Sequence, residues 1–131
     1  MSEHSDISAA RASYESITKG DLDYIRDDLL ADDVVFHVPG HGSLAGEYRG
    51  KADVIGYLSR LVDVTGNTMR YEPEAFLSGD GHIAVFLRIR GDRAGKELDE
   101  RGVHVFRVAD GKIAERWSFP QDSYAVDEFF S

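Results

Sequence analysis

Near residue 67 the chain changes its hydrophobic period, and that change restricts the available folds more than any other feature. Before it, apolar residues recur at helical spacing. After it they alternate, and glycine-containing turns break the alternation. Segments 69–77, 83–90, 98–108 and 112–119 read as strands. They are joined by Ser78-Gly79-Asp80-Gly81, by 91–96 and by Asp110-Gly111. Asp-Gly suits a turn whose two central residues take positive φ, so Asp110-Gly111 is the strongest hairpin signal in the chain. Helices followed by an antiparallel meander imply an α+β fold with helices packed on one face of a curved sheet. The space between sheet and helices is then the natural place for a pocket.

The first half supplies the helices. Residues 1–5 read as a frayed polar tail and Asp6 as an N-cap, followed by Ile7, Ala10, Tyr14 and Ile17 at helical spacing. Gly20 ends this helix, and Asp21 caps a second one whose apolar face is Leu22, Ile25 and Leu29. A β-branched run at 34–38 is stopped by Pro39-Gly40. Residues 40–50 carry four glycines, a loop composition, with 47–49 brushing the sheet. A third helix presents Val54, Ile55, Leu58, Leu61 and Val62, and Gly66 closes it. Residues 121–131 read as a tail that keeps Tyr124, Val126, Phe129 and Phe130.

Charge and composition remove whole classes of function. Among 131 residues there are 15 Lys plus Arg and 24 Asp plus Glu, a formal charge of −9, which repels phosphate backbones and argues against a nucleic-acid partner. The absence of cysteine excludes disulfides, thiolate metal sites and a Cys nucleophile. No window approaches a membrane span, and the polar N-terminus lacks the pattern of a signal peptide. The expectation is one domain over 1–131, in the cytoplasm, without a membrane partner.

Several strings, in order and spacing, carry a family resemblance. They are Gly20-Asp21-Leu22; Leu30-Ala31-Asp32-Asp33-Val34-Val35-Phe36; Gly46-Glu47-Tyr48-Arg49-Gly50; and Val54-Ile55-Gly56-Tyr57-Leu58. Further along come the run from Val103-His104-Val105-Phe106 to Ile113 and the run from Asp122 to Phe130. Together they resemble the SnoaL-like group of the nuclear transport factor 2-like superfamily, which includes ketosteroid isomerases, polyketide cyclases, scytalone dehydratase and limonene epoxide hydrolase. The resemblance implies a cone-shaped α+β barrel, three N-terminal helices on a curved, mainly antiparallel sheet, and a homodimer formed through the outer sheet face. It implies fold rather than chemistry. In ketosteroid isomerase an Asp base stands before the proline that ends the first strand, and a Tyr with a protonated Asp forms the oxyanion hole. Here the base position holds Val38, which accepts no proton, so the isomerase reaction is not expected. The oxyanion position on the long strand falls on His104, and the first-helix tyrosine is matched within about one residue by Tyr14. The Asp-Arg-Asp set of the epoxide hydrolases has no clear counterpart.

The candidate catalytic residues are therefore His104, Tyr14 and His37. His104 shares a strand face with Phe106 and Val108, where an imidazole can donate to an oxyanion or shuttle a proton. A core histidine satisfied by a carbonyl fits the same pattern. His37 faces away if Val38 faces the pocket, unless Pro39 marks a bulge. Val38, His41, Tyr48, Tyr57, Phe106 and Trp117 are the candidate ligand contacts, although Tyr14 and Tyr57 on apolar helix faces suit plain packing equally. Trp117 and Phe119 also suit an interface. Arg88, Arg90, Arg107 and Arg116 alternate with apolar residues, so one of them can turn inward to a carboxylate or enolate while the rest stay solvated. His37-x-x-x-His41 lies in strand and loop, a poor zinc signal, and no metal or cofactor is expected. The reading is a pocket for a small apolar molecule, used for cofactor-free acid–base chemistry such as isomerisation, cyclisation, dehydration or epoxide opening. A non-catalytic binding or dimerisation module of the same fold is the alternative.

Overall fold

The computed structural model describes residues 3–131. Helix α1 (Glu3–Lys19) is followed by one short turn, α2 (Leu22–Tyr24), which widens into a π turn (Ile25–Leu29) before β1 (Leu30–Val38). Then come β2 (Gly46–Arg49), α3 (Gly50–Val64), β3 (Arg70–Gly79), β4 (His82–Arg93), β5 (Lys96–Ala109), β6 (Lys112–Pro120) and α4 (Ser123–Phe129). The strands form one six-stranded sheet in the order β2-β1-β6-β5-β4-β3. Every pairing is antiparallel except β1 with β6, so the sheet is mixed and mainly antiparallel.

The sheet meander follows the turn chemistry. Asp80-Gly81, Ala94-Gly95 and Asp110-Gly111 all have positive φ at both residues, the conformation whose twist matches paired strands. The link expected at 91–96 is tighter than that, because β4 runs to Arg93 and β5 starts at Lys96. Pro73 is tolerated because β3 lies at the sheet edge and shifts register between Pro73 and Ala75.

Helix α1 buries Ala9, Ala10, Tyr14 and Ile17 on one face, packed against β3, while α3 buries Val54, Tyr57, Leu58 and Leu61 against β1. The first helix starts at Glu3, so Asp6 lies inside it rather than capping it, and the expected tail is helical from residue 3. Met1 and Ser2 lie outside the described residues. The second helix is shorter than its apolar spacing suggests. The Leu30 N–H donates to the Ile25 carbonyl, and this wider turn buries Ile25 and Leu29 while the chain enters β1. Among the described residues no helix is long and apolar enough to cross a membrane.

The largest departure from expectation is at the C-terminus, where 123–129 is helical. The Asp122 side chain accepts from the Ala125 N–H at 3.2 Å, and Val126, Phe129 and Phe130 turn inward while Tyr124 stays 86% exposed. Cations satisfy the helix's last carbonyls: Arg93 Nη1 donates to Phe129 O (3.1 Å) and Lys96 Nζ to Glu128 O (2.9 Å). One carboxylate ties α4 to the loop after β1. Asp127 Oδ1 accepts from the His41 N–H at 2.9 Å and the Gly42 N–H at 3.2 Å. Gly40, at φ +99°, lies so close to this carboxylate that a Cβ would collide with Asp127 Oδ1.

Replacing Asp127 by Ala removes the acceptor that both N–H groups share and should cost about 1–2 kcal/mol. Chemical denaturation checks the loss. Amide exchange at His41 and Gly42 should quicken while exchange in β4 and β5 stays slow; unchanged exchange in the loop would show that Asp127 does not hold it.

Candidate functional site

Strand alternation builds a cavity between the sheet's inner face and the helices. On β5, Leu98, Glu100, Gly102, His104 and Phe106 share that face, and on β6 Arg116 and Ser118 do. His104 sits opposite Val85 on one side and Ser118 on the other. Tyr71 and Ile89 continue the wall from β3 and β4, and Tyr57 and Leu61 close it from α3. Val38-Pro39, with Val126 of α4 and Phe130 just beyond its end, form the rim, so the loop pinned by Asp127 also shapes the entrance. The cavity is narrow, with a volume of ≈ 70 Å³.

His104 is 4% exposed and reaches back to α1, where its Nδ1 lies 2.8 Å from the hydroxyl of Tyr14. Tyr14 is itself 2% exposed, and this bond is the hydroxyl's partner. A buried O–H needs an acceptor, so the hydroxyl donates to Nδ1 and the ring proton resides on Nε2. Among the described residues Nε2 has no hydrogen-bond partner. Burial first, and the charge of Arg116 second, hold the imidazole well below its ordinary range, so it is neutral at neutral pH. Burial also drives the Tyr14 and Tyr71 phenols far above theirs. The Tyr14 ring stacks on Tyr71 at 5.6 Å, and Phe106 meets Tyr14 edge-on at 5.8 Å. Phe106 thus packs behind the cavity and braces its wall, and does not line it as expected.

Two formally charged groups share the cavity with His104. Arg116 is 3% exposed; its guanidinium lies 4.2 Å above the Phe36 ring, and its Nε is buried without a hydrogen-bond partner. Glu100 stands nearer the mouth, where its Oε2 accepts from the Asp122 N–H at 3.1 Å. Burial lifts its carboxyl above the usual carboxylate range, against the pull of that N–H.

Of the expected contacts, Val38 and Tyr57 line the cavity, and Tyr14 reaches it only through His104. Four others stand elsewhere. His37 is on the opposite sheet face, as alternation requires once Val38 points inward. Its Nε2 lies 2.6 Å from Glu115 and its Nδ1 3.1 Å from Glu47. Trp117 is on that outer face too, stacked on His37 at 5.5 Å with planes 10° apart. Tyr48 donates to Leu44 O at 2.7 Å and accepts from Arg60 at 3.0 Å, outside the cavity. His41 is exposed in the loop. Glu100 and Tyr71 were missed, and Arg116 was only one of four alternating arginines. The signal for Arg116 was its phase with Ser118 and with Phe36 on the neighbouring strand; for Glu100 it was its phase with His104. Among the described residues no group of three or more His, Asp or Glu is placed to hold a metal.

The geometry has counterparts among known proteins. Residues 10–116 match the SnoaL-like domain. An uncharacterised protein of Mycobacterium tuberculosis is 33% identical over 132 residues, spanning 100% of this chain and 100% of its own. Bal32a, from a soil-derived mobile gene cassette, superposes with a TM-score of 0.92 at 26% identity, over 98% of each chain. TerC, co-crystallised with polyporic acid, superposes at 0.83 with 25% identity, over 96% of this chain and 98% of its own. A family match across most of the chain, a full-length relative and a shared fold together establish that the protein belongs to the SnoaL-like domain family.

Proposed function

We propose that the protein binds a small, largely apolar carbonyl compound in this cavity and performs cofactor-free acid–base chemistry on it. The observation that carries the reading is the unpartnered Nε2–H of a neutral, buried histidine on an otherwise mainly apolar wall. Such a donor, already oriented, strengthens as charge develops on a ligand oxygen. Because Nδ1 is occupied by the Tyr14 hydroxyl, His104 serves as donor and not as base. Tyr14 is a positioning residue that fixes the tautomer. The proton acceptor is Glu100, on the same strand face about 13 Å along the backbone, with its carboxyl raised towards the range useful for general-base work. A ligand between them would lose a proton beside its carbonyl to Glu100 while His104 stabilises the enolate oxygen. TerC's co-crystal with an organic acid supports small-molecule occupancy of this architecture. Isomerisation, cyclisation and dehydration all pass through such a step.

Acetophenone is a suitable probe, since it is small, apolar and enolisable. The protein should accelerate exchange of its methyl protons in deuterated water, and His104→Phe or Glu100→Gln should reduce that rate by a factor of about 10²–10⁴. Exchange at the buffer rate, with acetophenone still bound, would replace the enzyme with a binding module. His104→Phe without effect on either binding or exchange would remove the histidine from the mechanism.

Stability should also depend on pH through His104. Its folded pKa lies below its unfolded value of about 6.5, so the unfolded chain takes up the proton first and stability falls as pH drops below that value. The limiting slope is ~1.4 kcal/mol per pH unit. Glu100, raised by burial, contributes in the opposite direction, but it cancels in the difference between wild type and His104→Phe. Denaturation between pH 7 and 5 should therefore show the wild type losing more stability than the variant. Parallel curves would mean that His104 is not buried neutral.

A further inference from the structure

We propose that Arg116 is an anion receptor, so that the ligand is an organic monoanion, a carboxylate or an acidic enolate carried on an apolar body. This inference rests on the pocket reading above and narrows its substrate class.

The argument starts from how the other cations are placed. Arg26, Arg49, Arg88, Arg90, Arg101 and Arg107 each pair with a carboxylate at the surface, Arg60, Arg70 and Arg93 donate to hydroxyl or carbonyl oxygens, and Arg11 lies exposed over the Phe76 ring. Arg116 has no such partner among the described residues, and it is the one formally charged side chain among those the structure buries. Among the described residues its ring contact is the face of Phe36 at 4.2 Å, which covers one side of the guanidinium plane, while the in-plane Nε–H is buried without a hydrogen-bond partner. Taking a guanidinium out of water is unfavourable unless something replaces its hydration. Here the buried charge lines a cavity, with Nε lacking any partner, so the missing group belongs in the cavity.

The remaining lining defines the rest of the ligand. Tyr57, Leu61, Met69, Tyr71, Ile89 and Phe130 offer apolar surface. His104 is the diagonal cross-strand neighbour of Arg116, within reach of a long side chain, so one carboxylate can accept from both the guanidinium and the Nε2–H. Glu100 lies at the mouth and not beside Arg116. It therefore discourages a second negative charge on the ligand's outer end and fits a monoanion with one polar head.

Benzoate and acetophenone are nearly isosteric and differ in charge, which makes them the decisive pair. Binding is followed by titration calorimetry and by the His104 ring signal in proton NMR, assigned through its loss in His104→Phe. Benzoate should bind at least tenfold more tightly than acetophenone. In Arg116→Met the two should come within about twofold of each other, while Arg116→Lys keeps part of the preference. The thermal midpoint of each unliganded variant confirms that it folds. If acetophenone binds the wild type as tightly as benzoate and moves the His104 signal, the anion assignment fails and the pocket reading stands. If Arg116→Met folds and keeps its preference for benzoate, Arg116 is not the receptor. If neither compound binds or moves the His104 signal, the pocket reading fails and the anion assignment goes with it.

Discussion

The hydroxyl of Tyr14 and Nδ1 of His104 satisfy each other where water cannot. Tyr14 comes from the first helix and His104 from the longest strand, 90 residues apart in sequence, so this 2.8 Å bond joins the helical layer to the sheet at the cavity wall. Two buried polar groups that would each be costly alone become tolerable together. The bond also decides the tautomer, since an occupied Nδ1 leaves the ring proton on Nε2. The aromatic contacts with Tyr71 and Phe106 keep the Tyr14 ring in place, so packing behind the cavity sets the direction of the donor in front of it. Helix position, strand register and tautomer are thus one coupled arrangement.

Legibility in the sequence followed the local strength of each signal. The hairpins were readable because Asp-Gly and Gly-containing links demand positive φ, a backbone property that a few residues specify. Helices α1 and α3 were readable from apolar spacing. The C-terminal helix was not, although Val126, Phe129 and Phe130 already had helical spacing, because seven residues give too short a window and much of its stability comes from tertiary partners such as Arg93 and Lys96. The π turn likewise responds to how the chain must enter β1.

The site divides along the same line. Alternation indicated that Val38 inward means His37 outward, and that His104 shares a face with Phe106. It could not say that Phe106 lies behind the wall, because depth within a face depends on sheet curvature and on the helix covering it. Arg116 shows the limit most clearly. Four arginines alternate with apolar neighbours; three pair with surface carboxylates and one is enclosed, and only the closed sheet shows which. Glu100 follows by alternation only once its neighbour's side is known: Asp99 pairs with Arg88 outside, and the next residue points inward.

His104, Arg116 and Glu100 share one cavity, and the setting of each bears on its charge. Arg116 helps to keep His104 uncharged, but burial is the larger cause, so an anion that neutralises the guanidinium would relax only the smaller of the two effects. Glu100 is in a different position, because its raised carboxyl comes from partial burial near the mouth. A ligand that fills the mouth removes more water from it and raises it further, which makes it a stronger proton acceptor when ionised but less often ionised at a given pH. In the proposed reaction, proton abstraction would accordingly be favoured most when the ligand's body sits deep against the aromatic wall and leaves Glu100 in contact with water at the rim.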